Sequence, residues 1–398
     1  MIRFDTGPLL ARAGVPQLLQ ALAVAEGRTR LVGGVVRDGL LGETTADVDL
    51  ATQLRPTEVI ANLEQAGIRV VATGLAHGTV TAIVDHAPYE ITTLREDVET
   101  FGRHAAVRFT NVWQADAARR DFTINALYAH PQTGEIFDYF GGLADLRARH
   151  VRFIGDPLQR IGEDHLRILR FFRFSARFSD HIDSDGLQAC HTRANDLMAL
   201  SRERIRDELL KLLALPQPQD TVATMLQAGI LQPILPEIPQ HGDQALSRLI
   251  AAEAGAGASA DGLRRLAALL PADSDIAAAI ASRLRCSRAE KRRLVLAACR
   301  TVVPADPLAL AYDIGPEAVL DRLLLTDDAR ARHWVGPLAN YQRPRLPITG
   351  GDLIALGLPP GPAVSHMLAQ IERQWIASGF PPERAPLLAA ARGLLQRD

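Results

Sequence analysis

The hydrophobic pattern of the chain changes about a third of the way along. Short apolar or alternating runs separated by Gly, Pro and Asp indicate strands at residues 30–32, 48–51, 79–84 and 89–94. From Asp156 onward apolar residues recur at three- and four-residue spacing, as in Leu166 and Leu169, which predicts helices. The pattern therefore predicts a first unit of α/β or α+β type and an all-helical remainder. Within that remainder, the small residues at 251–262 indicate a loose connection between helical parts.

Composition narrows the class of protein. The 398 residues are 47% hydrophobic and 23% charged, which is typical of a globular chain. There is no apolar run of about 18 residues and no signal segment at Met1, so we expect a cytoplasmic protein without a membrane span. The net charge of −2 carries no basic excess, so any RNA contact must come from local patches. The three cysteines show no metal-ligand spacing.

A pair of glycines is the first candidate for binding chemistry. Gly33 and Gly34 follow an apolar strand and precede a helical run, an arrangement that lets backbone N–H groups approach a phosphate. The string fits neither GxGxxG nor GxxxxGK[ST], so the dinucleotide-binding and P-loop interpretations lose their main support. A purely structural turn is the alternative.

Two carboxylates follow this turn. Asp47 and Asp49 lie two residues apart in a predicted strand, so both side chains occupy one face while Val48 and Leu50 pack inward. Carboxylate oxygens suit Mg²⁺, which would activate an attacking hydroxyl and stabilise a departing pyrophosphate. Glu90, on another predicted strand, is a candidate third carboxylate. The alternative to a metal site is that these carboxylates simply face solvent at the edge of a strand.

Cationic residues supply the second part of the pattern. Arg119 and Arg120 suit phosphate oxygens, and Asp121 beside them can accept from ribose hydroxyls. Taken as one helix, residues 156–177 carry charged side chains on one side and large apolar ones on the rest. So many apolar neighbours indicate a buried helix, whose arginines need partners. The charged residues are Arg160, Glu163, Asp164, Arg167, Arg170, Arg173 and Arg177.

Two residues of this segment match the edge of a nucleobase. Asp164 as an acceptor beside Arg167 as a donor matches an exocyclic amino group next to a ring nitrogen, the edge that cytosine and adenine share. Guanine and uracil present a carbonyl in place of the amino group. Such a pair would favour C and A by about 1–3 kcal/mol.

Together these strings resemble the class II tRNA nucleotidyltransferases, the CCA-adding enzymes and their poly(A) polymerase relatives. The matching strings occur in the family's order at residues 33–38 with 47–49, then 119–127, 163–167 and 203–209. The resemblance implies an α+β fold, with a nucleotidyltransferase head containing a small mixed sheet (1–145), a helical neck that reads the base and begins the RNA-binding region (146–240), and a helical body and tail that bind tRNA (241–398).

The resemblance also implies roles for individual residues. Asp47 and Asp49 would bind Mg²⁺, with Glu90 as a further catalytic carboxylate, and Asp164 and Arg167 would read the base. The other implied nucleotide-binding residues are Gly34, Arg37, Arg120, Asp121, Glu163, Arg170 and Arg173. A basic cluster after a capping box at Ser287 is a candidate tRNA contact, with a solvated helix start as the alternative. The cluster comprises Arg288, Lys291, Arg292 and Arg293.

The implied activity is addition of CCA to tRNA from CTP and ATP, and no obligatory protein partner is evident. Residues 95–111 fall where the family has a flexible loop that switches from CTP to ATP; Phe101 stands where close relatives have Asp. The string at 74–80 is similar to that of CCA-adding enzymes rather than to the basic string of bacterial poly(A) polymerases. Enzymes that add only CC, only A or poly(A), and a non-catalytic tRNA-binding protein, stay open as alternatives.

Overall fold

The computed structural model describes residues 3–43, 47–101, 104–381 and 383–395. The chain divides into two compact units, Met1–Pro236 (unit 1) and Glu237–Asp398 (unit 2). The domain limits expected at residues 145 and 240 stay predictions.

Unit 1 contains the β-structure. Its strands are β1 Thr29–Val32, β2 Asp49–Thr52, β3 Arg69–Gly74, β4 Thr79–Val84, β5 Ala87–Thr93, β6 Arg95–Phe101, β7 His104–Phe109, β8 Leu127–Ala129 and β9 Ile136–Asp138. Across the described residues, a seven-stranded sheet has the order β3-β4-β5-β2-β1-β8-β9, and β6 pairs with β7 as a separate hairpin. Because β2 runs parallel to β5 while the other pairs are antiparallel, the sheet is mixed, as predicted.

Strand β2 shows the predicted alternation with one difference. Val48 and Leu50 are buried, 3% and 1% exposed, while Asp47 and Asp49 are exposed. The strand begins at Asp49, so Asp47 precedes it instead of lying within it.

Helices cover the sheet and continue through the rest of unit 1. They are α1 Gly7–Leu10, α2 Val15–Ala21, α3 Gly34–Leu40, α4 Pro56–Gln65, α5 Trp113–Ala118, α6 Gly142–Arg147, α7 Pro157–Glu163, α8 Arg167–Phe178, α9 Ser184–Thr192, α10 Arg202–Leu213 and α11 Gln219–Gln227. Short 3-10 turns are Leu75–His77, Thr123–Asn125 and Ala194–Ala199.

The single helix expected over residues 156–177 is wrong, because α7 and α8 are separate. Asp164 has an extended backbone, and its Oδ1 accepts from the N–H of Leu166 at 3.1 Å. This short side chain thus competes with the helical hydrogen bonds at the break. Asp164 therefore lies between the two helices and not on the charged side of one continuous helix, where the sequence pattern placed it.

An aromatic core holds α8 in place. Phe122, immediately before the Thr123–Asn125 turn, is fully buried, and its ring centroid lies 5.3 Å from that of Phe174 and 5.0 Å from that of Phe153. Phe171 stacks on Phe153 at 5.3 Å. Burial of such rings contributes about 1.5–3 kcal/mol each, so the polar side of α8 has a rigid support.

The described residues of unit 2 form helices and loops. The helices are α12 Gly242–Ala256, α13 Gly262–Leu269, α14 Ser274–Arg283, α15 Arg288–Ala298, α16 Pro307–Ile314, α17 Pro316–Leu325, α18 Ala331–Ala339, α19 Gly350–Ala355, α20 Pro362–Ala377 and α21 Arg384–Leu395. The loose connection expected at 251–262 is wrong for its first half, since α12 continues to Ala256. Alanine is the strongest helix former, so a small-residue run need not be a linker. None of the helices in the described ranges is long and apolar enough to cross a membrane.

The start of α6 lies against the turn that carries Asn125. A Cβ on Gly142 would meet the backbone oxygen of Thr123 at 2.2 Å, so Gly142→Ala must displace one of the two backbones. We expect a loss of about 1–3 kcal/mol in the free energy of unfolding. Gly162→Ala, in α7, meets its nearest atom at 3.5 Å and serves as the matched control, with a gain of about 0.5–1 kcal/mol. Urea midpoints followed by circular dichroism test this, and equal midpoints would contradict it.

Candidate active site

A polar cleft of about 390 Å³ lies in unit 1. The β1–α3 turn, the start of β2, the segment after α5 and the α7–α8 break all contribute to its wall. The lining residues are Gly33, Gly34, Arg37, Asp49, Arg119, Arg120, Asp121, Asn125, Asp164, Arg167, Arg170 and Phe174. The structure thus brings together most of the nucleotide-binding candidates, from segments more than 130 residues apart in the chain.

The glycine turn requires its sequence. Gly33 has φ +73° and ψ −123°, a conformation that side chains rarely adopt. Behind the turn, the guanidinium of Arg37 is buried against Asp38 at 2.7 Å and donates to Asn125 Oδ1. Burial lowers the pKa of Arg37, and the charge of Asp38 partly offsets this effect. Arg37 is therefore held mainly by the protein, with part of its surface in the cleft wall.

Two carboxylates of the site lie on neighbouring parallel strands. Asp49 of β2 and Glu90 of β5 are register partners, so their side chains project from the same face of the sheet. Desolvation, and then repulsion from Glu90, raises the pKa of Asp49, and Asp47 adds to the repulsion. Only Asp49 of the three lines the cleft. Among the described residues no group of three or more acidic, His or Cys side chains is already gathered as a metal site.

The donor set nevertheless fits a hard divalent cation in its chemistry. Oxygen ligands from Asp47, Asp49 and Glu90 are the type that Mg²⁺ prefers. Burial first, and then repulsion from Glu90 and Asp47, raises the pKa of Asp49, and the charge of Arg120 offsets part of this effect; a cation bound beside these carboxylates would relieve the repulsion.

Asp116 of α5 is a site residue that sequence reasoning missed. Its carboxylate is 1% exposed and accepts from Arg119 Nε at 2.8 Å, Arg120 Nη2 at 3.1 Å and the Tyr128 hydroxyl at 2.7 Å. Burial alone would raise its pKa, but the charges of Arg120 and Arg119 outweigh burial and lower the pKa to about 2. The available signal was an acidic residue three and four positions before two arginines, a spacing that brings such side chains together around the end of a helix.

Asp121 is committed to the protein as well. Its Oδ2 accepts from Arg170 Nε at 2.8 Å, and its Oδ1 accepts from Asn125 Nδ2 at 3.0 Å and the Phe122 N–H at 2.8 Å. Burial would raise the pKa of Asp121, yet the charge of Arg170 and these hydrogen bonds lower it. The pair joins the strand-rich part of unit 1 to α8.

The α7–α8 break presents the two candidate base-reading residues. Arg167 Nη1 donates to Glu163 Oε2 at 2.6 Å, and its Nη2 donates to the Arg119 backbone oxygen at 2.8 Å. Asp164 Oδ2 accepts from Arg204 of α10 at 2.8 Å. Glu163 therefore lies behind Arg167 rather than in the cleft wall, and both reading side chains are held by neighbours.

Arg173 lies outside the cleft wall. Its Nε donates to the buried Glu208 of α10 at 2.5 Å, and its guanidinium lies 4.4 Å from the ring centroid of Phe174. The same ring lies 5.1 Å from the guanidiniums of Arg37 and of Arg170. Phe174 thus has three guanidiniums within cation–π distance of its ring.

The segment expected to be a flexible loop, 95–111, is largely the β6–β7 hairpin. The backbone of Phe101 ends β6, whereas its side chain and the next two residues lie outside the described part of the chain. The hairpin is attached at its base, where the Arg95 N–H donates to Asp116 Oδ1 at 3.3 Å.

The residues of the basic cluster in unit 2 differ in exposure. Ser287 and Glu290 form the predicted capping box, and Arg288, Lys291 and Arg292 are exposed on α15. Arg293 instead turns inward to Asp321 at 2.7 Å and Asp261 at 2.9 Å. Its hydrogen bonds and charge interactions with Asp321 outweigh burial and raise its pKa. The RNA-binding role stays a prediction for the exposed three, and the geometry favours a structural role for Arg293.

Comparisons with known proteins identify the family of this chain. Residues 29–152 match the family described as Poly A polymerase head domain, and residues 181–241 match one described as probable RNA and SrmB-binding site of polymerase A. The class is therefore that of nucleotidyltransferases with a polymerase head. The mouse mitochondrial CCA tRNA nucleotidyltransferase 1 is 33% identical over 94% of this chain and 89% of its own length. The CCA-adding enzyme of Levilactobacillus brevis is also 33% identical, over 94% of this chain and 96% of its own length.

Solved structures give the same result. The Bacillus stearothermophilus CCA-adding enzyme in complex with CTP superposes with a TM-score of 0.74 at 25% identity, covering 97% of this chain and 100% of that one. The Thermotoga maritima CCA-adding enzyme complexed with tRNA has the same fold, with a TM-score of 0.65. This chain belongs to the family of CCA-adding tRNA nucleotidyltransferases. Nucleotidyltransferases of this family use divalent metal ions.

The raised pKa of Asp49 has a consequence for stability. The folded protein binds this proton more tightly than the unfolded chain, so Asp49 costs stability at every pH above its unfolded pKa of about 3.9. We expect Asp49→Asn to raise the melting temperature at pH 7 without divalent metal, and this gain to vanish as the pH falls below about 4. Glu64→Gln, on the exposed face of α4, is the control and should leave the melting temperature unchanged. A lower melting temperature for Asp49→Asn at pH 7 would contradict the raised pKa of Asp49.

Proposed function

We propose that this protein adds C, C and A to the 3′ end of tRNA, using CTP and ATP with Mg²⁺ and releasing pyrophosphate. One observation carries the proposal: a single cleft joins a carboxylate, Asp49, to several guanidinium groups and to the Asp164–Arg167 pair. The carboxylates suit a metal ion, the guanidiniums suit a triphosphate, and the last pair suits the edge shared by cytosine and adenine.

The carboxylates provide for the metal. Asp47 and Asp49 would hold Mg²⁺, with Glu90 alongside Asp49 on the neighbouring strand. When bound, the ion lowers the pKa of the attacking 3′-hydroxyl and neutralises charge on the departing pyrophosphate. The carboxylates themselves hold the negative charge that positions such an ion next to the cleft.

The triphosphate occupies the glycine turn and the arginines facing it. Gly34 allows the backbone to approach a phosphate, and Arg37 supports this turn from behind. Arg120 on the opposite side supplies cationic N–H donors. Arg170, held by Asp121, completes the cationic wall of the cleft. A site of this kind stabilises the charge that develops on the leaving pyrophosphate.

The base is read by protein side chains rather than by a template. Ionised Asp164 only accepts hydrogen bonds, and Arg167 only donates them. Glu163, 2.6 Å from Arg167, holds the direction of that donor. Cytosine and adenine satisfy both partners, whereas uracil and guanine place a carbonyl against a carboxylate. Arg173 stays a candidate for the pocket through Phe174 and its ion pair with Glu208.

Stepwise incorporation tests the proposal. Each labelled NTP alone, and CTP with ATP, is supplied to tRNA transcripts that end before CCA, after C and after CC, and product lengths are resolved on a gel. We expect growth to CCA that then stops, and no incorporation by Asp49→Asn although it still binds tRNA. Products that halt at CC, an A added only after CC, or an unlimited A tail would each identify a specialised enzyme. Intact tRNA binding without incorporation by the wild type would identify a non-catalytic binding protein.

Base choice depends on Asp164 being an acceptor. Asp164→Asn replaces one oxygen with an amide that can donate to the O4 atom of uracil, so we expect UTP incorporation relative to CTP to rise about tenfold. Asp207→Asn, on the exposed side of α10, is the matched control and should leave the ratio unchanged. Single-turnover rates with each nucleotide measure the ratio. An unchanged ratio in Asp164→Asn would remove Asp164 from base reading.

A further inference from the structure

Two of the cleft arginines share one buried anion. Asp116 accepts from Arg119 on Oδ1 and from Arg120 on Oδ2, so each guanidinium is held along one edge. The Tyr128 hydroxyl donates to the same Oδ2, and the Arg95 N–H donates to Oδ1. With four donors and 1% exposure, the carboxylate has no surface left for a ligand.

The charges of this group are unequal. Asp116 carries one negative charge, and Arg119 and Arg120, called here the arginine pair, carry two positive charges. The depressed pKa of Asp116 means that its charge persists across the physiological range. The group therefore presents a net positive charge to the cleft with Asp116 ionised, and a larger one when that carboxylate is neutralised.

The carboxylate also determines where the arginine pair points. With Nη2 of Arg120 on Asp116 and its Nε 3.3 Å from the Tyr128 hydroxyl, Nη1 lies toward the glycine turn, 3.6 Å from the position of a Cβ on Gly33. Arg119 donates to Asp116, and its backbone oxygen accepts from Arg167. Asp116 thus connects Arg120, on the phosphate side of the cleft, through Arg119 to Arg167 on the base-reading side.

We propose that Asp116 is a positioning residue for nucleotidyl transfer, which acts by aiming the arginine pair at the triphosphate and not by touching it. The inference rests on the proposed function. A residue that bound the triphosphate directly would affect both anion affinity and the rate of transfer, whereas a positioning residue affects the rate alone. Loss of the Asp116 charge leaves the cleft at least as attractive to a simple anion, because the net positive charge rises. Transfer, in contrast, needs the guanidiniums in one geometry, and misplacement by about 1 Å can cost about 100-fold in rate.

Asp116→Asn tests this with two measurements on the whole protein. Calorimetric titration with inorganic pyrophosphate gives the affinity and the number of competent sites, and single-turnover CTP incorporation onto tRNA gives the rate. We expect one site per chain, an affinity equal to or tighter than that of the wild type, and a rate lower by about 10- to 100-fold. Asp145→Asn is the matched control, since Asp145 is also buried and paired with an arginine, but that arginine, Arg152, does not line the cleft as Arg119 and Arg120 do. It should keep the wild-type rate.

Three results would overturn the proposal: a rate within about twofold of the wild type, a loss of rate matched by a loss of binding sites, or a loss of rate matched by weaker pyrophosphate affinity. If Asp116→Asn does not fold, Tyr128→Phe provides the test, because it removes the hydroxyl that links Asp116 to Arg120 without changing any charge and without changing a residue that lines the cleft. We expect the same separation, with a slow rate and retained pyrophosphate affinity, and a wild-type rate would contradict the proposal. A wild-type protein that adds no nucleotide would refute the proposed function instead.

Discussion

The structure of the cleft depends on keeping many guanidinium groups close together without mutual repulsion. Each of these cations has a carboxylate partner, mostly buried, and the arginine pair shares one: Asp38 for Arg37, Asp116 for the arginine pair, Glu163 for Arg167, Asp121 for Arg170 and Glu208 for Arg173. Breaking a buried pair by removing one partner typically costs about 3–5 kcal/mol. The fold therefore maintains the cationic cleft before a nucleotide arrives, which is the preorganisation that electrostatic catalysis needs.

The acidic residues of the cleft lie in different environments and therefore differ in what they can bind. Asp116 and Asp121 are buried and saturated with donors, so they hold cations in place. Asp49 and Glu90 are exposed on one face of the sheet and repel each other, so they are available to a metal ion. Asp164 lies between these cases, with one oxygen on Arg204 and its side chain in the cleft wall. The environment of each carboxylate, rather than its residue type, determines whether it holds an arginine in place or is available to a ligand.

Sequence reasoning predicted what depends on local pattern. The period-two alternation around Asp49 and the capping box at Ser287 are confirmed, because each depends on neighbours within a few residues. The α7–α8 break was missed, because the side chain of Asp164 outcompetes a helical pattern that otherwise continues. Asp116 was missed because its partners include Tyr128 and the N–H of Arg95, which only the folded sheet and hairpin bring to it. The inward turn of Arg293 likewise depends on Asp321, 28 residues further along the chain.

We propose that the protein itself, without a nucleic-acid template, selects cytosine and adenine. Equilibrium binding of the four NTPs to the protein in the absence of RNA tests it most directly. We expect CTP and ATP to bind more tightly than UTP and GTP by about 5- to 150-fold, the equivalent of about 1–3 kcal/mol for one good pair of hydrogen bonds. Equal affinities for all four nucleotides would contradict base reading by Asp164 and Arg167 in the free enzyme.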